Sequence, residues 1–129
     1  MKAKLILLFS SFWAIGVFLN EHYRPYVYQN SIQDFGLADV AGNLISPCAI
    51  CFIVWFMRKK LTSSVKLDIA LITLVYLLHE ILSIIFPFLG TFDIKDMVAL
   101  TIGGAMSYGF YHLLDIESYY SQKNQKLSV

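Results

Sequence analysis

Four apolar stretches separated by short polar segments dominate this 129-residue sequence. A helix needs about 20 mostly apolar residues to cross the roughly 30 Å hydrocarbon core of a bilayer. The second, third and fourth stretches reach that length, and the first does so by including the residues that flank it. We therefore predict an all-α fold, a bundle of four transmembrane helices at about residues 4–21, 37–57, 67–89 and 96–114. A polar cytoplasmic tail follows at 115–129.

The composition favours a membrane protein over other classes. Hydrophobic residues make up 57% of the chain and charged residues only 15%, whereas soluble domains have about 25% charged residues. The net charge of +1 provides no positive surface of the kind that binds nucleic acids. Because the length allows one domain, we predict a single membrane domain over residues 1–129, with the lipid bilayer as its partner and no nucleic-acid partner.

The basic residues predict the orientation of the chain, because Lys and Arg near helix ends are retained on the cytoplasmic side. With four spans, one side of the membrane carries eight basic residues and the other carries only Arg24 and Lys95. The eight residues are Lys2, Lys4, Arg58, Lys59, Lys60, Lys66, Lys123 and Lys126. We therefore expect both termini in the cytoplasm and the segments 20–36 and 90–96 on the outer side.

The N-terminus permits a second interpretation. Lys2 and Lys4 precede a short apolar run, as they do in a secretory signal peptide. However, the run ends in Leu19-Asn20-Glu21-His22 and is not followed by the small residues of a cleavage site. We therefore expect the first helix to be retained in the membrane.

Glu80 is the clearest ionisable residue at hydrocarbon depth. Apolar residues flank it on both sides, and about 13 residues at about 1.5 Å each place it about 20 Å from the inner edge at Leu67. A carboxylate at that depth must face the bundle interior, pair with a partner or take up a proton. His79 precedes it, but helical neighbours point about 100° apart and can have different partners. A buried hydrogen bond to a Tyr, Ser or Asn side chain is the structural alternative to a functional carboxylate.

A polar stripe marks the outer half of the second predicted helix. Asp39, Asn43 and Ser46 are spaced i, i+4 and i+7, which places them on one helical face. Pro47 follows, and it removes the hydrogen bond that its nitrogen would otherwise make to the Asn43 carbonyl. Such a stripe leading to a kink is typical of a bundle interior or a water-filled crevice.

The fourth predicted helix opens in a similar way to the second. Asp39 and Asp96 each begin a helix that runs from the outer to the inner side, and small residues follow them in the segments 38–43 and 95–100. This weak internal repeat predicts two pseudo-repeated helical hairpins with a site between them. The structural alternative is that each carboxylate caps free N–H groups and complements the positive end of the helix dipole.

Small residues recur along the last predicted helix. Gly103 with Ser107, and Ala105 with Gly109, form small-xxx-small pairs. Such pairs let helix backbones approach closely within a membrane, where no hydrophobic effect drives helices together. We predict that they form a packing face, within one chain rather than between two chains.

No catalytic pattern is recognisable in the sequence. His79-Glu80 continues as Ile81-Leu82-Ser83, so the H-E-x-x-H zinc motif fails at its second histidine. Cys48 and Cys51 have the C-x-x-C spacing, but they fall at mid-membrane without further ligands, which favours two small apolar side chains in a packed helix. We therefore predict that the protein is not an enzyme and uses no cofactor.

Two groups of residues together form a family pattern. In the second half, a membrane glutamate (Glu80) precedes a proline (Pro87). A glycine-containing loop with D-x-x-D follows at residues 90–96, and then a glycine-rich helix with Gly103-Gly104. The first half has a D-x-x-x-N segment at 38–43 that leads to a proline. Over roughly residues 37–112, this pattern resembles the VanZ-like family of small bacterial integral membrane proteins.

The resemblance implies a multi-pass protein of the bacterial inner membrane, of the type linked to glycopeptide (teicoplanin) resistance. Carried over by position, the candidate ligand-binding residues are Asp39, Asn43, Glu80, Asp93 and Asp96, with His79 beside Glu80. The chain departs from the family pattern at Thr91 and Leu100, where the family often has an arginine and an asparagine. The last helix is also similar to that of short four-helix magnesium–citrate secondary transporters.

Two functions follow from these expectations. In the first, an outer-half acidic cluster of Asp39, Glu80 and Asp96 binds a polar lipid head group, a cation or a cell-envelope precursor. In the second, the chain is a secondary transporter that acts as a homodimer, with Glu80 coupled to protons or cations and Pro47 as a hinge. A membrane-embedded enzyme that acts on a lipid is a third class, for which the sequence supplies no nucleophile and base pair.

Overall fold

The computed structural model describes residues 1–58 and 64–127, without the side chains of Leu89 and of residues 123–127. Lys59 and Lys60, on which part of the orientation prediction depends, lie outside the described residues. Within them the regular structure is entirely helical, so the all-α prediction is confirmed. The elements are α1 (Lys2–Phe18), a π-helical turn (Leu19–Tyr23), α2 (Arg24–Gln29), α3 (Leu37–Met57), α4 (Val65–Leu82), a 3₁₀ turn (Pro87–Leu89), α5 (Ile94–Leu113) and α6 (Ile116–Leu127).

Two helical stretches of the described chain, Lys2–Gln29 and Leu37–Met57, are long and apolar enough to cross a membrane. The helices α5 and α6 qualify together as one bent pair, with an angle of 51° between them, so the number of such spans is at most three. The 18 residues of α4 include Lys66, Asp68 and Glu80. The four-span arrangement with both termini in the cytoplasm therefore stays a prediction.

The first helix is longer than the predicted 4–21. It continues without a break through the π-helical turn and α2 to Gln29. Pro25 lies at the start of α2 and has no N–H group for the helical ladder. The chain passes it through the wider turn, in which the Arg24 N–H donates to the Leu19 carbonyl. Part of the predicted outer segment 20–36 is thus helical.

The prediction of 67–89 for the third helix is wrong at its outer end. The helix α4 ends at Leu82, and the Ser83 hydroxyl donates to the Glu80 carbonyl at 2.6 Å. A residue that precedes proline avoids the helical conformation, and Phe86, before Pro87, has φ −118° and ψ 85°. The proline therefore prevents the helix from continuing toward residue 89.

The predicted polar tail at 115–129 is helical in the described chain, where residues 116–127 form α6. Ile116 and Tyr120, one helical turn apart, are fully buried. The Tyr120 hydroxyl donates to the Trp55 carbonyl at the end of α3. The tail is thus a helix that docks against the inner end of the bundle.

The central helix is α3, which packs against α1, α4 and α5. Its buried residues Cys48, Cys51, Phe52 and Trp55 form one hydrophobic cluster with Leu5, Tyr111, Ile116 and Tyr120. The Phe52 ring makes edge contacts with Phe12 and Phe110, with ring centroids 5.3 Å and 5.2 Å away. This core lies in the inner half of the predicted bundle.

The helix α5 fits between α3 and α4 by means of two glycines. A β-carbon on Gly103 would lie 2.5 Å from the Leu44 carbonyl oxygen, and one on Gly104 would lie 2.5 Å from Thr73 Oγ1. Ser107 is also buried, so the predicted packing face is confirmed for Gly103 and Ser107. The second predicted pair, Ala105 and Gly109, is exposed and packs against neither neighbour in the described chain.

Candidate functional site

Glu80 lies in the last turn of α4 and faces the protein interior, with 9% of its surface exposed. Its Oε1 atom accepts a hydrogen bond from the Asp93 backbone N–H at 3.0 Å. That donor lies at the start of α5, so the Glu80 carboxylate connects the outer ends of α4 and α5. Glu80 therefore faces inward, as its apolar neighbours predicted.

Asp93 has a structural task at the same place. Its side chain caps α5 by accepting a hydrogen bond from the Lys95 N–H at 2.9 Å. An acceptor at this position satisfies one of the free N–H groups in the first helical turn. The structure thus brings Glu80 and Asp93 together through the Asp93 backbone, while the Asp93 carboxylate serves its own helix.

Asp96, in the first turn of α5, has one carboxylate oxygen that accepts no hydrogen bond from the described residues. Its carboxylate is half-buried, and its Oδ1 atom is fully buried without a hydrogen-bond partner in the described part of the chain. Asp96 precedes Ala99 and Gly103 by three and seven residues, so it lies on the helical face that packs inward. Glu80 and Asp96 therefore place two acidic groups at the outer ends of α4 and α5.

Asp39, the third carboxylate of the predicted cluster, faces a different helix. It is exposed, its Oδ1 atom lies 3.3 Å from Arg24 Nη2, and it accepts a hydrogen bond from the Tyr28 hydroxyl. Both partners lie in α2, whereas Glu80 faces α5. An exposed ion pair contributes only about 0–1 kcal/mol. In this arrangement Asp39 ties α3 to α2, and the structure does not bring it to Glu80.

The remaining predicted site residues lie apart from the two acidic groups. Asn43 is half-buried one turn after Asp39, and His79 is exposed although its neighbour Glu80 is buried. Among residues 1–58 and 64–127, no group of three or more His, Cys, Asp or Glu side chains is placed to hold a metal ion. Of the three carboxylates in the predicted cluster, only Glu80 and Asp96 lie at the adjoining ends of α4 and α5.

Asp34 is a residue that the sequence reasoning missed. Its carboxylate accepts hydrogen bonds from the Gly36 and Ala38 N–H groups at 3.0 Å and 2.7 Å and from the Tyr23 hydroxyl at 3.3 Å. Partial desolvation opposes ionisation, but these donors outweigh it and hold the pKa of Asp34 below its ordinary value. The D-x-G sequence before an apolar helix is a signal of this kind of cap.

The inner end of the bundle contains a second feature that the sequence did not reveal. Arg58, after α3, forms a largely buried ion pair with Asp68 in the first turn of α4. Trp55 Nε1 and Asp68 Oδ2 are buried nearby without a hydrogen-bond partner among the described residues. A buried charge needs its partner, because removing one side leaves the other uncompensated. This pair ties the end of α3 to the start of α4.

Comparison of the chain with protein-family models, with curated proteins and with solved structures finds no match. The resemblance to VanZ-like proteins therefore stays a prediction.

Proposed function

We propose that the chain is a multi-pass protein of the bacterial inner membrane that binds a polar ligand through Glu80 and Asp96. The ligand is cationic or donates N–H or O–H groups, as a lipid head group, a cation or a cell-envelope precursor does. The observation that carries the proposal is the buried Asp96 Oδ1 atom, which has no hydrogen-bond partner in the described chain and lies in the first turn of α5, directly after the Asp93 N–H that Glu80 binds. A role in glycopeptide resistance of the VanZ-like type belongs to this proposal.

The chemistry of the two carboxylates supports a donor ligand. Removing a carboxylate from water is costly unless hydrogen bonds or an opposite charge compensate it. The donor that Glu80 receives from Asp93 is a neutral backbone N–H group. A cationic donor would add an opposite charge as well as a hydrogen bond, so it would compensate either carboxylate more fully than a neutral donor does.

The surface of α4 supports the four-span arrangement within this proposal. Two of its charged residues, Lys66 and Asp68, lie in the first turn, where Asp68 pairs with Arg58. The third, Glu80, is buried. Apart from Lys66 near its start and His79 near its end, the surface that α4 exposes is apolar, and it includes Leu67, Leu71, Leu74, Val75 and Leu78. A helix with such a surface can face lipid despite its charge count, and the bundle then places Glu80 and Asp96 in the outer half.

The test is ligand-induced stabilisation of the purified protein in nanodiscs. The probes are Mg²⁺, phosphatidylethanolamine in place of phosphatidylcholine, and a lipid-linked peptidoglycan precursor. We expect at least one probe to raise the unfolding temperature, by an amount that corresponds to about 2.7 kcal/mol at 100 times its Kd. Glu80→Gln and Asp96→Asn should lose this shift. Glu80→Gln keeps an acceptor for the Asp93 N–H and so preserves the fold.

Glu21→Gln is the matched control, because Glu21 is exposed and its described hydrogen bond comes from its neighbour Asn20. This variant should retain the full shift. Equal stabilisation of the wild type and of the double variant at Glu80 and Asp96 would contradict the proposal. So would a flux of protons or Mg²⁺ into liposomes that Glu80→Gln abolishes, because that result identifies a transporter.

A further inference from the structure

A groove runs between α3 and α5 on the side of α5 that faces away from Glu80. Its volume is about 400 Å³. The walls are apolar, with one charged residue, and the residues that define it are Val40, Leu44, Ile94, Lys95, Val98 and Ile102. Ile94, Val98 and Ile102 are spaced i, i+4 and i+8, so the stripe is about 12 Å long at 1.5 Å per residue. That length covers most of the roughly 15 Å hydrocarbon depth of one leaflet.

The groove is open on its α5 side. Val98 and Ile102, the last two residues of the apolar stripe, are 54% and 48% exposed. In a membrane-embedded bundle this side meets lipid chains rather than water. An acyl chain is therefore the occupant that matches the shape and the chemistry of the walls.

Lys95 provides the charge at the outer end of the groove. A β-carbon on Gly36 would lie 3.5 Å from Lys95 Nζ, so the ammonium group rests against the loop that precedes α3. Its side chain forms no ion pair with a carboxylate of the described residues, whereas Arg24, on the same side, is paired with Asp39. The Lys95 charge is thus uncompensated at the depth where lipid phosphates lie.

We propose that this groove binds an anionic phospholipid of the outer leaflet, with one acyl chain along Val98 and Ile102 and the phosphate paired with Lys95. The site lies on a different face of α5 from the acidic pair. A membrane lipid therefore forms part of the folded unit, independently of the ligand proposed for Glu80 and Asp96.

Native mass spectrometry of protein released from nanodiscs with equal amounts of phosphatidylglycerol and phosphatidylcholine tests the charge. We expect the wild type to retain phosphatidylglycerol preferentially. Lys95→Gln should reduce that preference roughly fivefold, which corresponds to about 1 kcal/mol for one cation at the membrane surface. Arg24→Gln, which removes a paired cation on the same side, should retain the wild-type preference.

Occupation of the groove has its own test. Ile102→Trp fills the inner end of the groove and should reduce retention of phosphatidylglycerol, whereas Leu7→Trp, on the exposed face of α1, should not. Equal retention of the two lipids by the wild type, or an unchanged preference in Lys95→Gln, would overturn the proposal. So would displacement by inorganic phosphate alone. Glu80→Gln should leave this retention unchanged, which separates the result from the fate of the proposed function.

Discussion

At the scale of the residue, Asp34 fixes the outer loop between α2 and α3. One of its oxygens accepts from Gly36, and the other accepts from Ala38 and from the Tyr23 hydroxyl. Gly36 precedes α3 with φ +85°, a conformation that favours glycine. The carboxylate thus caps α3 and attaches its start to the first helix.

The pH dependence of stability tests this role. The pKa of Asp34 is lowered in the folded state, while an Asp in an unfolded chain has a pKa of about 3.9. Its contribution is therefore complete above about pH 4 and is lost as the pH falls through the lower folded value. We expect the unfolding temperature of the wild type to fall in that range and Asp34→Asn to show a smaller fall. Parallel curves would contradict the prediction, and Glu21→Gln should match the wild type.

The sequence predicted individual residues only where the local pattern decides the outcome. Glu80 lies in a mostly apolar segment, so its inward orientation was predictable from the cost of exposing a carboxylate to lipid. Asp39 and Asp96 open their helices alike in sequence but differ in the structure. The partners of Asp39 are Arg24 and Tyr28 in another helix, and such long-range choices leave no local signal.

At the scale of the element, α5 depends on two glycines that face different neighbours. Gly103 approaches the α3 backbone at Leu44, and Gly104 approaches Thr73 of α4. The two contacts differ in kind, because a carbonyl of a packed helix cannot move aside as a side chain can. The α3 contact is therefore the stricter of the two.

A pair of alanine substitutions tests this difference in packing. Gly103→Ala places a methyl group 2.5 Å from the Leu44 carbonyl oxygen, and we expect overpacking to destabilise the protein by about 1–3 kcal/mol. Gly109→Ala meets no atom within 4 Å and should be neutral or stabilising, because alanine is the better helix former. Thermal unfolding in detergent measures both, and equal unfolding temperatures for the two variants would show that α3 and α5 do not pack closely.

Helix boundaries were predictable where local residues, such as a glycine or a proline, set them. The second predicted helix, 37–57, has the bounds of α3, which begins after the left-handed Gly36. The polar sequence of α6 gave no such signal, because its two buried side chains dock on a core that other helices build. The early end of α4 depends on Pro87, which was visible in the sequence.

At the scale of the whole molecule, the native cysteines offer a clean background for a test of topology. Cys48 and Cys51 are free thiols that are fully buried in α3. Phe88, which is 82% exposed between α4 and α5, should lie outside in the four-span arrangement. Ser118, exposed in α6, should lie inside.

We therefore expect a membrane-impermeant maleimide to label Phe88→Cys in intact cells and Ser118→Cys only after the membrane is permeabilised. The unsubstituted protein is the control and should remain unlabelled, because its thiols are inaccessible. Labelling of both positions from the same side would contradict the predicted orientation.

The arrangement of contacts also carries a consequence for biogenesis. The helices α1 and α3 pack together and are synthesised first, while α4 and α5 pack together and emerge later. The seam between α3 and α5, at Gly103, joins these two halves. The contact between α1 and α3 can thus form while the ribosome is still synthesising α4 and α5. If the four-span arrangement holds, a defect at the seam would leave two inserted but undocked halves, which is the form that membrane quality-control proteases encounter.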